Sequence, residues 1–155
     1  MAKNQHLHIG TAAMEEIQVL SRRCVFPNPN ASPDKKIRAA FKHLREAVSG
    51  FGFDPDSLLH IGIPVMDDQH LLTYDCCIEF PFPMDAPQSE IHQITLPGGP
   101  YIILRMEKKQ PVIARSLRQF IGDYIPENEI IPDPDRPTLE IYYEHTMEFC
   151  LPILV

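Results

Sequence analysis

The sequence LEIYY at residues 139–143, followed after a short turn by MEFCLP at residues 147–152, has the pattern of two β-strands joined by a hairpin. An earlier pair, HIGIPV at residues 60–65 and YDCCIE at residues 74–79, has the same arrangement. A strand and a helix pattern precede each pair. The repeat predicts a duplicated α+β fold, in which two β-α-β-β halves (about residues 18–80 and 90–155) form an antiparallel sheet with two main helices.

Apolar spacing and proline positions mark the two helices. In the first half, Ser32 and Pro33 have the composition of a helix start, and the apolar stripe that follows runs to about Ser49. In the second half, Pro111 is predicted to open the helix and Pro126 to close it, because proline cannot continue an α-helix. The first ten residues lack both patterns and are expected to be a frayed start.

Composition limits the classes of protein that this chain can represent. Its 155 residues are sufficient for a single domain spanning residues 1–155, and 44% of them are apolar. The chain contains no apolar run long enough for a membrane span and no secretory signal, so a cytoplasmic protein without membrane contact is expected. Four cysteines without metal-type spacing are expected to be reduced core thiols. The net charge of −7 argues against direct binding of nucleic acid, since such binding depends on lysine and arginine.

When the two halves are aligned, Glu140 stands at the position of Gly62. Duplicated halves generally meet across a pseudo-twofold axis, and open backbone on one side with a carboxylate on the other is a natural place for a ligand. On a strand, Glu140 shares its face with Tyr142, whereas Leu139 and Ile141 point the other way. If Leu139 and Ile141 pack under the helices, Glu140 faces a central cleft, where a carboxylate favours an organic cation.

Aromatic residues could form the walls of such a cleft. The candidates are Tyr101, Phe120, Tyr124 and Tyr142, whose rings would attract a cation by about 0.5–2 kcal/mol each. The alternative for these residues is ordinary core packing, and the position of Phe120 on the helix stripe favours that alternative.

The closing sequence RPTLEIY at residues 136–142, the turn after it and EFCLPI at residues 148–153 resemble the signature of the GyrI-like family. Further similarities are the first-half strand pair and the GGPY turn at residues 98–101. This family is similar to the effector-binding domains of some AraC-type and MerR-type regulators. The resemblance implies a cytoplasmic module whose cleft holds hydrophobic, often cationic, molecules against a central glutamate, which is Glu140 in this sequence.

Three functions follow from these observations. The leading prediction is a binding module for drugs or toxins that are hydrophobic and cationic. A second is an enzyme, since some relatives are thought to hydrolyse strained electrophilic natural products, with Glu140 activating water. A third is an interaction protein whose partner is gyrase or a transcription regulator. The sequence predicts no cofactor and no metal site, because its histidines and cysteines lack ligand spacing and it has no phosphate-binding loop.

Overall fold

The two β-α-β-β halves predicted from the sequence are both present, each accompanied by one additional strand. The computed structural model describes residues 7–28, 32–67, 70–84 and 88–155. Within these residues the strands are β1 His8–Met14, β2 Ile17–Val25, β3 His60–Met66, β4 Leu71–Glu79, β5 His92–Leu96, β6 Gly99–Glu107, β7 Leu139–Tyr142 and β8 Thr146–Pro152. The α-helices are α1 Asp34–Gly50, α2 Gln110–Gln119 and the short α3 Ile125–Glu127. The α+β class, the antiparallel pairing and the two main helices are therefore confirmed.

The chain forms two compact units. The first unit is Glu16–Pro97, and the second unit combines residues 7–15 of the described chain with Gly98–Val155. In the first unit the antiparallel strands lie in the order β3-β4-β2-β5. In the second unit they lie in the order β7-β8-β6-β1. Each unit therefore contains one β-α-β-β half and one additional strand.

The corresponding strand pairs of the two units, β3 with β4 and β7 with β8, have the same hydrogen-bonding register. Gly62 on β3 pairs with Cys76 on β4, and Glu140 on β7 pairs with Phe149 on β8. These pairs occupy the positions that align in the sequence repeat. The backbone of the repeat is therefore conserved even where its side chains differ.

The additional strand of each unit comes from the other part of the chain. β1 directly precedes β2 in sequence but pairs with β6, and β5 directly precedes β6 but pairs with β2. The expectation of a frayed start was wrong for residues 8–10, because the pairing with β6 supplies backbone hydrogen bonds that the local sequence does not indicate. Residues 1–6 of that predicted segment lie outside the described residues.

Helix α1 follows from its apolar stripe. Ala40, Leu44 and Val48 are buried against β2 and β4, at the spacing of one helix face. The helix ends in a Schellman motif, in which Gly52 has a φ of 93° and donates to Ser49 O, and Phe53 donates to Val48 O. The position with positive φ explains the glycine that follows the last helical turn.

The second-half helix does not stop before Pro126, contrary to the prediction. After α2 the chain forms a π-helical turn, Phe120–Tyr124, and continues through Pro126 as α3. The wider turn accommodates a proline that a regular α-helix would exclude.

All four cysteines are free and buried, as expected for core thiols. Cys77 and Cys150 occupy equivalent positions of the two units, and burial raises the pKa of each thiol to about 12. Among the described residues, the helices are too short or too polar to cross a membrane.

Candidate functional site

Strand β7 carries the residues around which the candidate site is built, and Arg136 fixes the chain just before this strand. The Arg136 guanidinium donates hydrogen bonds of 2.9 Å to Pro100 O and Ile153 O, and its Nε donates to Asp133 at 2.8 Å. The hydrogen bond from Arg136 also lowers the pKa of the Asp133 carboxyl group. Arg136 therefore ties the start of β7 to β6 and to the end of β8.

Glu140 lies in the middle of β7 and is half-buried. Its direct partner across the antiparallel ladder is Phe149, so the two side chains share one face of the sheet. The Tyr142 hydroxyl donates a hydrogen bond of 3.0 Å to Glu140 Oε1. This hydroxyl donor orients the Glu140 carboxylate.

This face of the sheet is the one on which α2 packs. Phe149 belongs to the same apolar cluster as Phe120, which follows α2 directly, and the two rings meet edge to face at 6.1 Å. Tyr142 packs against that cluster as well. The condition that Leu139 and Ile141 pack under the helices is therefore not met, because they alternate with Glu140 and point to the opposite face.

Two further predicted wall residues belong to the same cluster. Phe120 is fully buried, and the half-buried Tyr124 stacks on it with a ring distance of 6.0 Å and an interplanar angle of 18°. The structure thus brings Glu140, Tyr142, Phe120 and Tyr124 to one face of the second unit. For Phe120 the packing is that of a core residue, which is the alternative that the sequence favoured.

Tyr101 is placed differently. It lies on β6 next to Ile102, whose side chain belongs to the α2 cluster, so Tyr101 points to the opposite face. Its hydroxyl donates to Pro137 O at 3.1 Å, and its ring lies against the Arg136 guanidinium at 5.0 Å. The hydroxyl group and the ring of Tyr101 therefore both contact the segment that precedes β7.

Gly62 belongs to the first unit, where its backbone is closely covered. A Cβ atom built on Gly62 would lie 1.7 Å from the Tyr74 hydroxyl oxygen, so the Tyr74 side chain fills the space that the missing side chain leaves. The open backbone expected from the sequence is therefore absent at Gly62 itself, because Tyr74 on the neighbouring strand covers it.

The opposite face of the sheet carries a polar group that the sequence did not single out. Glu148 accepts a hydrogen bond of 2.9 Å from the Tyr143 hydroxyl and forms an ion pair of 3.3 Å with Arg105. Burial, followed by this bond to Glu148, raises the pKa of Tyr143 to about 12. The equivalent pair in the first unit is Arg23 with Asp75. The matching positions of these charges in the repeat are the signal that could have revealed both pairs.

Residues 7–28, 32–67, 70–84 and 88–155 contain no group of three or more histidine, cysteine or acidic side chains that could hold a metal ion. The chemical features that the structure does bring together are a hydrogen-bonded carboxylate and aromatic rings.

A family comparison matches nearly the whole described chain. The model of the GyrI-like family, a small molecule binding domain, matches residues 14–152. No curated protein matches the sequence.

Solved structures with the same fold include three with informative partners or activities. EcmrR, in a complex with DNA, has a TM-score of 0.73 at 11% identity over 95% of this chain, which spans 57% of the EcmrR chain. SAV2435 bound to tetraphenylphosphonium has a TM-score of 0.59 at 11% identity, covering 95% of this chain and 94% of its own. A hydrolase from Listeria innocua has a TM-score of 0.64 at 12% identity, covering 94% of this chain and 91% of its own. At these identities the likeness shows the fold.

Proposed function

This chain belongs to the GyrI-like family of small-molecule-binding domains, and we propose that it binds hydrophobic organic cations, as a sensor of such compounds or as a protein that sequesters them. In this proposal the Glu140 carboxylate faces the positive charge of the ligand. Tyr142, Tyr124 and Phe120 supply the apolar and aromatic surroundings.

One observation carries the proposal: a half-buried, hydrogen-bonded carboxylate lies on the apolar face that α2 covers. Glu140 is directly opposite Phe149 and accepts a hydrogen bond from Tyr142. Phe149 belongs to the aromatic cluster, and Tyr142 packs against it. A carboxylate held next to apolar groups gains more from a cation than a solvent-exposed one does, because less water competes for it. Aromatic rings add cation–π attraction and contact area.

The nature of the ligand is supported by one structure of the same fold. SAV2435 is bound to tetraphenylphosphonium, which is a cation enclosed by four aromatic rings. An apolar, aromatic site that includes a carboxylate suits a ligand of this kind. Glu140 and its aromatic neighbours offer that combination in this chain.

The test is a titration with tetraphenylphosphonium, comparing the wild-type protein with the Glu140→Gln and Glu148→Gln variants. Both glutamates accept a hydrogen bond from a tyrosine, at 3.0 Å and 2.9 Å, but they lie on opposite faces of adjacent strands. We expect Glu140→Gln to weaken binding about tenfold or more, which corresponds to about 1.4 kcal/mol. Glu148→Gln, which removes the same charge from the other face, should change the affinity less than about twofold.

A neutral ligand of similar shape sharpens the test. Triphenylphosphine oxide should bind the wild type and Glu140→Gln with similar affinity, because it has no charge for the carboxylate to recognise. Equal weakening by both glutamate substitutions, or saturable binding of the cation that does not depend on Glu140, would contradict the proposal.

A second candidate is hydrolysis, which the hydrolase from Listeria innocua with this fold favours. Here Glu140, oriented by Tyr142, would act as a general base that activates water for attack on an electrophilic substrate such as an epoxide. Mass analysis of the recovered compound distinguishes the two functions. Addition of water that requires wild-type protein and is absent with Glu140→Gln supports the enzyme, whereas recovery of every bound electrophile unchanged supports the binding module.

A further inference from the structure

The helix that covers the aromatic cluster contains a π-helical turn, Phe120–Tyr124. The defining bond is donated by the Ile125 N–H to Phe120 O, five residues earlier, in place of the usual four. Single π turns within α-helices often occur at functional sites.

Pro126 is incompatible with a regular α-helix at this point of the chain. In a regular α-helix the residue at position 126 would donate to Gly122 O, but proline has no N–H and its ring collides with the carbonyl group four residues earlier. One additional residue in the turn moves the Gly122 carbonyl away from the ring. The chain can then continue through Pro126 as α3 without breaking the helix.

The π turn changes which residues face the sheet. In an α-helix a residue five positions after Phe120 would lie about 140° further around the axis. Here Ile125 lies one turn above Phe120 instead, and both are buried. Tyr124, between them, packs on the same cluster, whereas Ile121 is 53% exposed. The turn thus presents Phe120, Tyr124 and Ile125 to the sheet together.

Both sides of the turn are held in place. Asn128 fixes the Tyr124 carbonyl with two hydrogen bonds, one from its backbone N–H at 3.1 Å and one from its Nδ2 at 2.8 Å. The helix then ends in a Schellman motif, with Ile130 donating to Ile125 O and Glu129 donating to Pro126 O. These bonds hold the backbone of Tyr124 while its ring stacks on Phe120.

We propose that Pro126 is a positioning residue for ligand binding, because the π turn that it imposes places Ile125 above Phe120, next to Tyr124, on the face that carries Glu140. This inference rests on the proposed function. It assigns the preference for large aromatic cations to a backbone feature rather than to a contact made by Pro126 itself. Without the proline the segment can relax to a regular α-helix, and Ile125 then rotates away from Phe120.

The test uses Pro126→Ala, with Pro111→Ala as the matched control. Pro111 lies in the first turn of α2, where a helix needs no N–H, so its replacement makes the same chemical change without affecting the π turn. Binding of tetraphenylphosphonium, urea unfolding and amide hydrogen exchange are measured for both variants. We expect Pro126→Ala to weaken binding at least about fivefold while its resistance to urea is unchanged or higher, and Pro111→Ala to bind within about twofold of the wild type.

Hydrogen exchange makes the outcome specific. Protection here means slow exchange of the new amide at position 126 together with an NMR coupling across its hydrogen bond to the Gly122 carbonyl, because an amide that bonded to Ile121 O in the π register would also exchange slowly. Protection together with weaker binding supports the proposal. Protection with unchanged binding overturns it, and so does an unprotected amide, which would show that Pro126 does not cause the turn.

The failure of the proposed function gives a different result. If tetraphenylphosphonium does not bind the wild type, or binds equally to Glu140→Gln, the cation-binding function itself fails, and the role given to Pro126 fails with it. If binding depends on Glu140 but not on Pro126, the function stands and this inference alone is overturned.

Discussion

In the first unit, the Tyr74 side chain occupies the space next to Gly62. At the equivalent position of the second unit, this space is occupied by the side chain of Glu140. Both positions lie on the third strand of a β-α-β-β half, in the same register with the following strand. In the first unit glycine and tyrosine close the position, and in the second unit glutamate and tyrosine form a hydrogen bond there. The two halves thus share the backbone pairing, while this position is covered by a tyrosine in one copy and occupied by a hydrogen-bonded carboxylate in the other.

The largest effect is expected from Gly62→Ala, which puts a Cβ atom into the Tyr74 ring. The ring belongs to a side chain that is 4% exposed and cannot easily move, so we expect a loss of about 3 kcal/mol in the free energy of unfolding, measured with urea. Glu140→Ala, at the equivalent position of the second unit, should cost about 1 kcal/mol or less. The double variant Gly62→Ala/Tyr74→Leu should recover part of the loss, and the absence of any recovery would show that Tyr74 is not the obstacle.

A smaller effect on the free energy of unfolding is expected when the two equivalent ion pairs, Arg23 with Asp75 and Arg105 with Glu148, are removed one at a time. Asp75 is buried and receives two hydrogen bonds from Arg23, at 2.7 Å and 3.0 Å, whereas Arg105 approaches Glu148 at 3.3 Å. Asp75→Asn should therefore destabilise the protein by about 1–2 kcal/mol, and Glu148→Gln by about 0.5 kcal/mol. Urea unfolding of both variants measures this difference. A larger cost for Glu148→Gln would mean that the pair geometries do not determine the energies.

Tyr143 should make the free energy of unfolding depend on pH, whereas its equivalent in the first unit, Val65, has no titratable group. The pKa of Tyr143 is raised from 10.0 to about 12 by burial and by Glu148, so the folded state favours the neutral phenol. Its contribution is fully present below about pH 10 and is lost as the pH rises towards 12, because the unfolded chain releases the proton first. Tyr143→Phe should flatten the stability curve in this window. Because Cys77 and Cys150 remain in both proteins, the difference between the two curves isolates Tyr143.

The smallest effect concerns the ends of the two main helices. Both end in Schellman motifs, but the residue with positive φ is Gly52 in the first unit and Glu129, at 54°, in the second. Glu129→Gly should stabilise the protein by about 0.5 kcal/mol, because glycine adopts this conformation without strain. Gly52→Ala should have the opposite sign. Thermal unfolding of the two variants checks the signs, and destabilisation by Glu129→Gly would show that the Glu129 side chain contributes more than its backbone strain costs.

The closing strand pair of each half could be predicted from sequence because its signals are local. Alternating β-branched, aromatic and polar residues indicate the strands, and the repeat indicates their shared register. Strand β1 was missed because Gly10, Ala12 and Ala13 give little strand signal and the partner strand is far away in the sequence. Pro126 was taken as a helix stop because the usual rule for proline does not consider a wider turn.

The face on which Glu140 lies could not be predicted. Leu139 and Ile141 are buried on one side of β7, and Glu140 and Tyr142 are half-buried on the other, so both sides of the strand are covered. Alternation shows which residues share a face but not which face carries the helix. That choice depends on Phe149 and Phe120, which meet through tertiary packing.

The pairing of β1 with β6 has a consequence for the order in which the protein is made. A chain that leaves the ribosome with its amino terminus first produces residues 8–14 long before residues 99–107, which complete their hydrogen bonds. The first unit has all of its strands once β5 has been synthesised, because β5 pairs with the earlier β2. The second unit must hold its first strand unpaired until β6 emerges, and contacts between distant parts of a chain form slowly. The unit that carries Glu140 is therefore the last to complete its sheet during biosynthesis.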